Sequence, residues 1–241
     1  MKYIETVNSQ IISAIVKWSA ITHEDLYYYL DLKSQKSTLH VRTHTLIKNK
    51  VIKSTKLMNQ KKPILHSYEG TKSVAGDDIR ISHNGHLPHD SVLSNICIRF
   101  LQLPNVYDVI TLKDDNFYSK VAVVPDAEAL VIDGEKSLNI AIEYEASRKS
   151  KQRVVNKFNS YSQSNDYQYV IYIFNNEKDA VSYANTFYTL ENSPNLKQEK
   201  FYFFVRNPNA LMDDFVNSFT PIYPTDIGTL ITALSGKETI N

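Results

Sequence analysis

The stretch Val121–Tyr161 reads VAVVPDAEALVIDGEKSLNIAIEYEASRKSKQRVVNKFNSY, and its pattern decides the fold of the larger part of the chain. Val121–Val124 is a short apolar run stopped by Pro125, which cannot donate to a sheet ladder and belongs at a strand end or bulge. Ala127–Ile132 predicts the next strand, and Asp133-Gly134 is a hairpin signal. The run Leu138–Glu145 follows. Side chains alternate faces along a strand, so Ile140, Ile142 and Tyr144 take one face and Ala141, Glu143 and Glu145 the other. Residues two apart lie roughly 6.5–7 Å apart along a strand. Asp126 on the neighbouring strand adds a third carboxylate, and the three together can share one divalent cation. Mg²⁺ takes oxygen ligands, commonly one or two carboxylates with water and phosphate. A solvated acidic face on an edge strand is the competing reading of the same alternation. Arg148, Lys149, Lys151, Arg153 and Lys157 follow directly. Anionic ligands at a sheet end followed by a cationic helix suit a metal ion and a phosphate backbone together.

Asp126, then Glu143-x-Glu145 on the next strand, then a basic helix, resemble the PD-(D/E)xK nuclease superfamily. More narrowly, Pro125-Asp126-Ala127, then Ala141-Ile142-Glu143-Tyr144-Glu145-Ala146-Ser147-Arg148-Lys149-Ser150, then Lys157 and Tyr161, resemble the replication-relaxation family. That family includes the MobC-type relaxases of mobilisable plasmids and integrative elements. The resemblance implies a two-domain α/β protein of the α+β kind. Its N-terminal part would be a winged helix-turn-helix and its C-terminal part a restriction-endonuclease-like domain. It implies DNA nicking in mobilisation, conjugation or replication, with Mg²⁺ or Mn²⁺ held by Asp126, Glu143 and Glu145. Glu145 would serve as third ligand or general base, and Lys149 would stabilise developing negative charge. The family also has a His-Asp pair at the start of this domain's first helix, matched by His89-Asp90. His89 would orient or protonate a phosphate, or simply occupy the helix end, with Asp90 as N-cap. The motif lysine of the superfamily falls at position 145, where this chain has Glu145. Some restriction enzymes of the superfamily carry Glu there, and Lys149 is an alternative source of the cation. The departure also favours a second reading, a non-catalytic DNA-binding regulator or mobilisation accessory on a degenerate nuclease fold. A module recruiting replication proteins is a third.

The chain has 241 residues, enough for two domains with cores of their own. Its net charge of +1 hides an asymmetry. Residues 1–70 hold ten lysines and Arg42 against five acids, roughly +6, so the remainder is mildly acidic. A basic N-terminal domain points to nucleic acid, here double-stranded DNA, more than to a membrane. Cys97 is the only cysteine, which excludes an intrachain disulfide and a cysteine-built zinc site. The polar MKYIETVNSQ start lacks a signal-peptide apolar region, and no apolar run reaches membrane-spanning length. A cytoplasmic protein is expected; the oligomeric state is left open.

Within residues 1–70, helices are predicted at Ile4–Trp18, after the N-cap Thr22, and over Ser34–Lys50. Leu39, Val41, Leu46 and Ile47 point inward in the third helix, while Ser37, Thr38, His40, Arg42, Thr43, Thr45 and Lys48 stay largely outward. Val51–Leu57 and Pro63–Tyr68 form a basic hairpin bearing Lys53, Lys61 and Lys62. This is the winged helix-turn-helix order, in which the third helix enters the major groove and the wing touches phosphate. Ser37, Thr38, His40, Arg42, Thr43, Lys48, Lys53, Lys61 and Lys62 are the expected DNA contacts of this domain, with Arg148, Lys151 and Arg153 in the other. Residues 71–88 read as a linker. Its His83 and His86, with His89, are a conceivable metal cluster but more simply solvated.

From 89 to 241 the order α-β-β-β-α-β-α-β-α is expected, including strands at Val106–Leu112, Tyr167–Phe174 and Phe201–Val205. The helices are Asp90–Gln102 with Cys97 in its core stripe, Ser147–Tyr161 with its lysines outward, Glu177–Leu190, and Ala210–Phe219. Tyr144 and Tyr161 fall on core faces, although tyrosine is abundant enough to leave a tyrosine nucleophile open. Walker, G-x-G-x-x-G, H-E-x-x-H and G-x-S-x-G motifs are absent, so ATPase, dinucleotide and zincin readings have no support.

Overall fold

The computed structural model describes residues 2–31, 36–57, 62–75, 85–111, 123–190 and 197–222, with 230 and 234. The chain divides into two compact units, Met1–Ile98 and Arg99–Asn241.

The first unit runs α1 (Lys2–Trp18), β1 (Ala20–Thr22), α2 (His23–Tyr29), α3 (Lys36–Lys48), β2 (Lys53–Thr55), β3 (Ile64–His66) and α4 (Glu69–Ala75), then most of α5 (Leu87–Phe100). The α1 stripe Val7, Ile11, Ala14, Ile15 and Trp18 is buried, as a helical period requires. Thr22 caps α2 by accepting the Asp25 N–H at 3.1 Å. The strands form a small antiparallel sheet in the order β1-β3-β2, with Leu65 paired to both Ile21 and Ser54. β1 and α4 were not anticipated. β1 is three residues long, too short for periodicity to register.

One residue expected inward and one expected outward change places. Val41 is 63% exposed and Thr43 fully buried. Leu39, Thr43 and Leu46 sit at i, i+4 and i+7, so Thr43 lies on the stripe and Val41 off it. Burial is tolerable because the Thr43 hydroxyl donates to the Leu39 or His40 carbonyl, each at 3.0 Å, and meets His23 Nε2 at 2.9 Å. Residues 71–75, read as linker, belong to α4. α5 starts at Leu87, which puts Asp90 inside the first turn rather than at the cap, its N–H bonded to the His86 carbonyl at 2.9 Å.

The second unit contains a six-stranded mixed sheet, order β4-β5-β6-β7-β8-β9. Its strands are β4 (Val106–Thr111), β5 (Ala127–Asp133), β6 (Lys136–Glu145), β7 (Tyr169–Phe174), β8 (Phe201–Arg206) and β9 (Phe219–Pro221). β4, β5 and β6 form an antiparallel meander. Gly134, at φ 60°, opens the two-residue turn between the paired Asp133 and Lys136, a conformation glycine takes without strain. β6, β7 and β8 are parallel, joined through α6 (Lys151–Gln163) and α7 (Glu177–Tyr188). From Ile140 onward every residue of β6 is buried on both faces, which sets aside the solvated edge strand. Val123 and Val124 precede β5 as irregular chain; Val121 and Ala122, like Leu112, lie outside the described residues.

The helix expected over Ala210–Phe219 is reduced to α8 (Phe215–Ser218). Arg99, 3% exposed, explains the difference: its guanidinium donates to the carbonyls of Leu211 (2.5 Å) and Ala210 (2.9 Å) and to the Ser218 hydroxyl. Those carbonyls serve a buried cation, and Leu211 closes only a short turn by accepting the Asp214 N–H at 3.2 Å. Cys97 is buried, as its place in the α5 stripe predicted. No described helix is long and apolar enough to cross a membrane.

Candidate functional site

β6 ends at the carboxyl edge of the parallel strands with Glu143 and Glu145. β5 runs the opposite way, with Ala127 paired to Ile142, so Asp126 arrives beside Glu143 at the same end of the sheet. One Asp126 oxygen accepts the Tyr144 N–H at 2.9 Å, which ties the carboxylate to the β6 backbone.

Glu143 is 1% exposed, and both of its oxygens are engaged. Lys157 Nζ donates to Oε2 at 2.5 Å and the Tyr161 hydroxyl donates to Oε1. Burial pushes the Glu143 carboxyl up to about 7 against the pull of Lys157, with Asp126 adding to the rise. Burial works against the Lys157 ammonium too, but Glu143, Asp126 and Glu145 together hold its pKa above the usual lysine value. Glu145 is 7% exposed and raised by burial, against Lys157 and Lys149. Lys149 Nζ lies 3.8 Å from Glu145 Oε2, and the Tyr183 hydroxyl bonds to Glu145 while accepting the Lys149 N–H at 3.2 Å. Glu145 Oε2 and the buried Tyr172 hydroxyl make no hydrogen bond among the described residues.

Lys157, expected outward with the other lysines of α6, is only 28% exposed and its ammonium reaches Glu143. The signal was present: Val154, Lys157, Phe158 and Tyr161 stand at i, i+3, i+4 and i+7, one face of the helix. A long stem lets a lysine lie on an apolar face and carry its charge to a buried acid. Tyr161 and Tyr144 do lie on core faces, with Asn175 Nδ2 donating to the Tyr144 hydroxyl at 2.6 Å.

The other candidates are distributed differently. Arg148, Lys151 and Arg153 are solvent-exposed. His89 is half-buried, its Nδ1 3.4 Å from Asp90 Oδ1. His86 is exposed and His83 lies outside the described residues. In the first unit Ser37, His40, Lys48, Lys53 and Lys62 are exposed, and Thr38 and Arg42 are half-buried; Lys61 lies outside the described residues. Thr43 is removed from the surface. Lys62 pairs with Glu24. His23, Glu24, Lys36, Leu39, His40, Lys62 and Pro63 line a cavity of about 380 Å³. His23 stacks on His40 with centroids 4.7 Å apart. Burial and the neighbouring His40 lower the His23 pKa to about 4, keeping this ring neutral.

Asp126, Glu143 and Glu145 do not form a ready-made divalent-ion site among the described residues. A metal needs open carboxylate lone pairs at about 2.0–2.1 Å for Mg²⁺. Each Glu143 oxygen accepts one hydrogen bond, from Lys157 or Tyr161, and no group of three His, Cys, Asp or Glu among the described residues is placed to hold a metal. No protein-family model matches the chain, and neither a curated protein nor a solved structure does so.

Proposed function

We propose that this chain is a double-stranded-DNA-binding protein of a plasmid or integrative element, acting in mobilisation or replication. Its second unit is read as a PD-(D/E)xK-type fold used as a scaffold rather than as a cutting centre. The observation that carries the DNA reading is the first unit's order α1-β1-α2-α3-β2-β3 around a three-stranded sheet, the layout of a winged helix. In it His40, Lys48, Lys53 and Lys62 are exposed on α3 and the β2–β3 hairpin. For the second unit, support comes from the antiparallel β4-β5-β6 meander followed by the parallel β6-α6-β7 crossover, with carboxylates at the strand end. The scaffold reading rests on Lys157 and Tyr161 occupying Glu143. The mobile-element setting follows from the replication-relaxation resemblance.

Binding of a labelled duplex, followed by anisotropy across a salt series, tests the DNA reading. Affinity is expected to fall steeply with salt. Lys48→Ala and Lys53→Ala are each expected to reduce the log–log slope by about 1, as loss of one phosphate contact does. Lack of binding at low salt, or an unchanged slope in both variants, would end it.

Metal-dependent nicking remains a second reading, with Mg²⁺ or Mn²⁺ the cofactor and Asp126, Glu143, Glu145, Lys149 and His89 its residues. Two features favour it: Asp126 and Glu143 meet at one strand end, and Glu145 Oε2 has no hydrogen bond among the described residues. Supercoiled plasmid carrying the element's neighbouring DNA, incubated with Mg²⁺ or Mn²⁺, separates the two. The scaffold reading expects intact plasmid from wild type and Glu143→Ala alike. Nicked circles from wild type alone would replace it with the nuclease reading.

A further inference from the structure

We infer that Lys157 is the resident cation of the carboxylate cluster and that it excludes a divalent metal ion from it. This inference rests on the nuclease-like reading of the second unit and deepens it by naming what occupies the site. The ammonium sits 2.5 Å from Glu143 Oε2 and interacts with Asp126 and Glu145 as well. A single side chain therefore brings a cation onto Glu143, with Asp126 and Glu145 near enough to act on its charge. Tyr161, one turn further along α6, takes the other Glu143 oxygen.

Both donors are fixed by the helix that carries them. Ser150 caps α6 at its start through the Arg153 N–H. Val154 and Phe158, on the same face as Lys157 and Tyr161, belong to the aromatic core cluster of the sheet. At the other end the buried Lys200 ammonium donates to the carbonyls of Tyr161 (3.1 Å) and Ser164 (2.7 Å). A divalent ion entering the cluster meets the positive charge of the Lys157 ammonium, and displacing Lys157 costs its charge-assisted hydrogen bond to a buried carboxylate. Lys157 thus competes with a metal for the same acids.

The test is Mn²⁺ binding to the full chain without DNA, read by calorimetry and by the electron paramagnetic resonance of free Mn²⁺. Wild type and Glu143→Gln are expected to give the same titration. Lys157→Met is expected to acquire one site at least about ten-fold tighter, a change of the size that supporting residues exert on metal affinity. Lys157→Met/Glu143→Gln is expected to lose it again. A wild-type site weakened about ten-fold or more by Glu143→Gln would overturn the inference. So would a folded Lys157→Met that gains nothing. Should that variant not fold, amine acetylation with peptide mapping answers on the wild type. Lys157 is expected to stay equally protected with and without Mn²⁺, and Mn²⁺-dependent labelling would overturn the inference. Duplex binding by the same samples is a separate readout, so failure of the DNA reading is distinguishable from failure of this one.

Discussion

Phe158→Ala is expected to destabilise the protein by ~3–5 kcal/mol, the range for removing a fully buried aromatic side chain. Phe158 is 0% exposed and sits at the centre of the second unit's aromatic cluster. Its ring meets Tyr172, Phe187, Phe201 and Phe203 edge-on, at centroid distances of 5.4, 5.2, 5.5 and 6.0 Å. Edge-to-face aromatic pairs contribute beyond the area they bury, so truncation loses several such pairs and leaves a cavity between α6 and the sheet. Phe158→Leu keeps much of the volume and is expected to lose clearly less. Urea unfolding followed by circular dichroism checks both. Equal midpoints for wild type and Phe158→Ala would show that α6 is not held by this ring.

The second large effect concerns the pair of buried Glu143 with half-buried Lys157. Lys157→Met leaves the buried Glu143 carboxyl without its cation, a defect expected to reach ~3–5 kcal/mol only above the folded Glu143 value, where the carboxyl has to ionise. Glu143→Leu/Lys157→Met, which removes both charges, is expected to recover most of that loss. The single variant also has a characteristic pH dependence. In the wild type burial already raises Glu143 from 4.5 to about 7. Loss of Lys157 removes the main opposing influence, so the folded value rises further. A raised carboxyl binds more protons folded than unfolded. Its stabilising contribution is therefore full below about pH 4.5 and declines as pH rises through the folded value. The stability gap between Lys157→Met and wild type is expected to stay nearly constant at pH 5–6 and to widen as pH rises through about 7, read as the difference in urea midpoints. A gap independent of pH would mean that Glu143 does not face the lost charge.

Much of the second unit was legible in the Val121–Tyr161 stretch. Alternation along β6 separated Glu143 and Glu145 from Tyr144, and Asp133-Gly134 marked the turn that sets the β5–β6 register. That register then places Asp126 next to Glu143. These features are local or nearly so, because strand period, turn chemistry and short-range pairing follow from neighbouring residues. In the first unit the N-cap at Thr22 was equally local. Where stripes were misread, as with Thr43 and Lys157, the helical spacing was correct in the sequence. The residue type argued against burial and the spacing for it. Spacing won because each polar group found a partner, His23 for one and Glu143 for the other.

By itself, then, the sequence determined the order of the first five strands of the sheet, though not β9, the faces of those strands and the charge asymmetry between the two parts of the chain. Only the tertiary structure decided what the acidic strand end holds. The helix suggested at 210–219 gave way to a loop whose carbonyls serve Arg99, a partner more than a hundred residues away in sequence. The carboxylate pattern alone is compatible with a metal, and whether Glu143 has an oxygen to offer depends on the rotation and seating of α6. That seating is set by Phe158 packing into the sheet's aromatic cluster and by Lys200, from another element, binding the end of α6, and no local pattern carries the sum of such contacts.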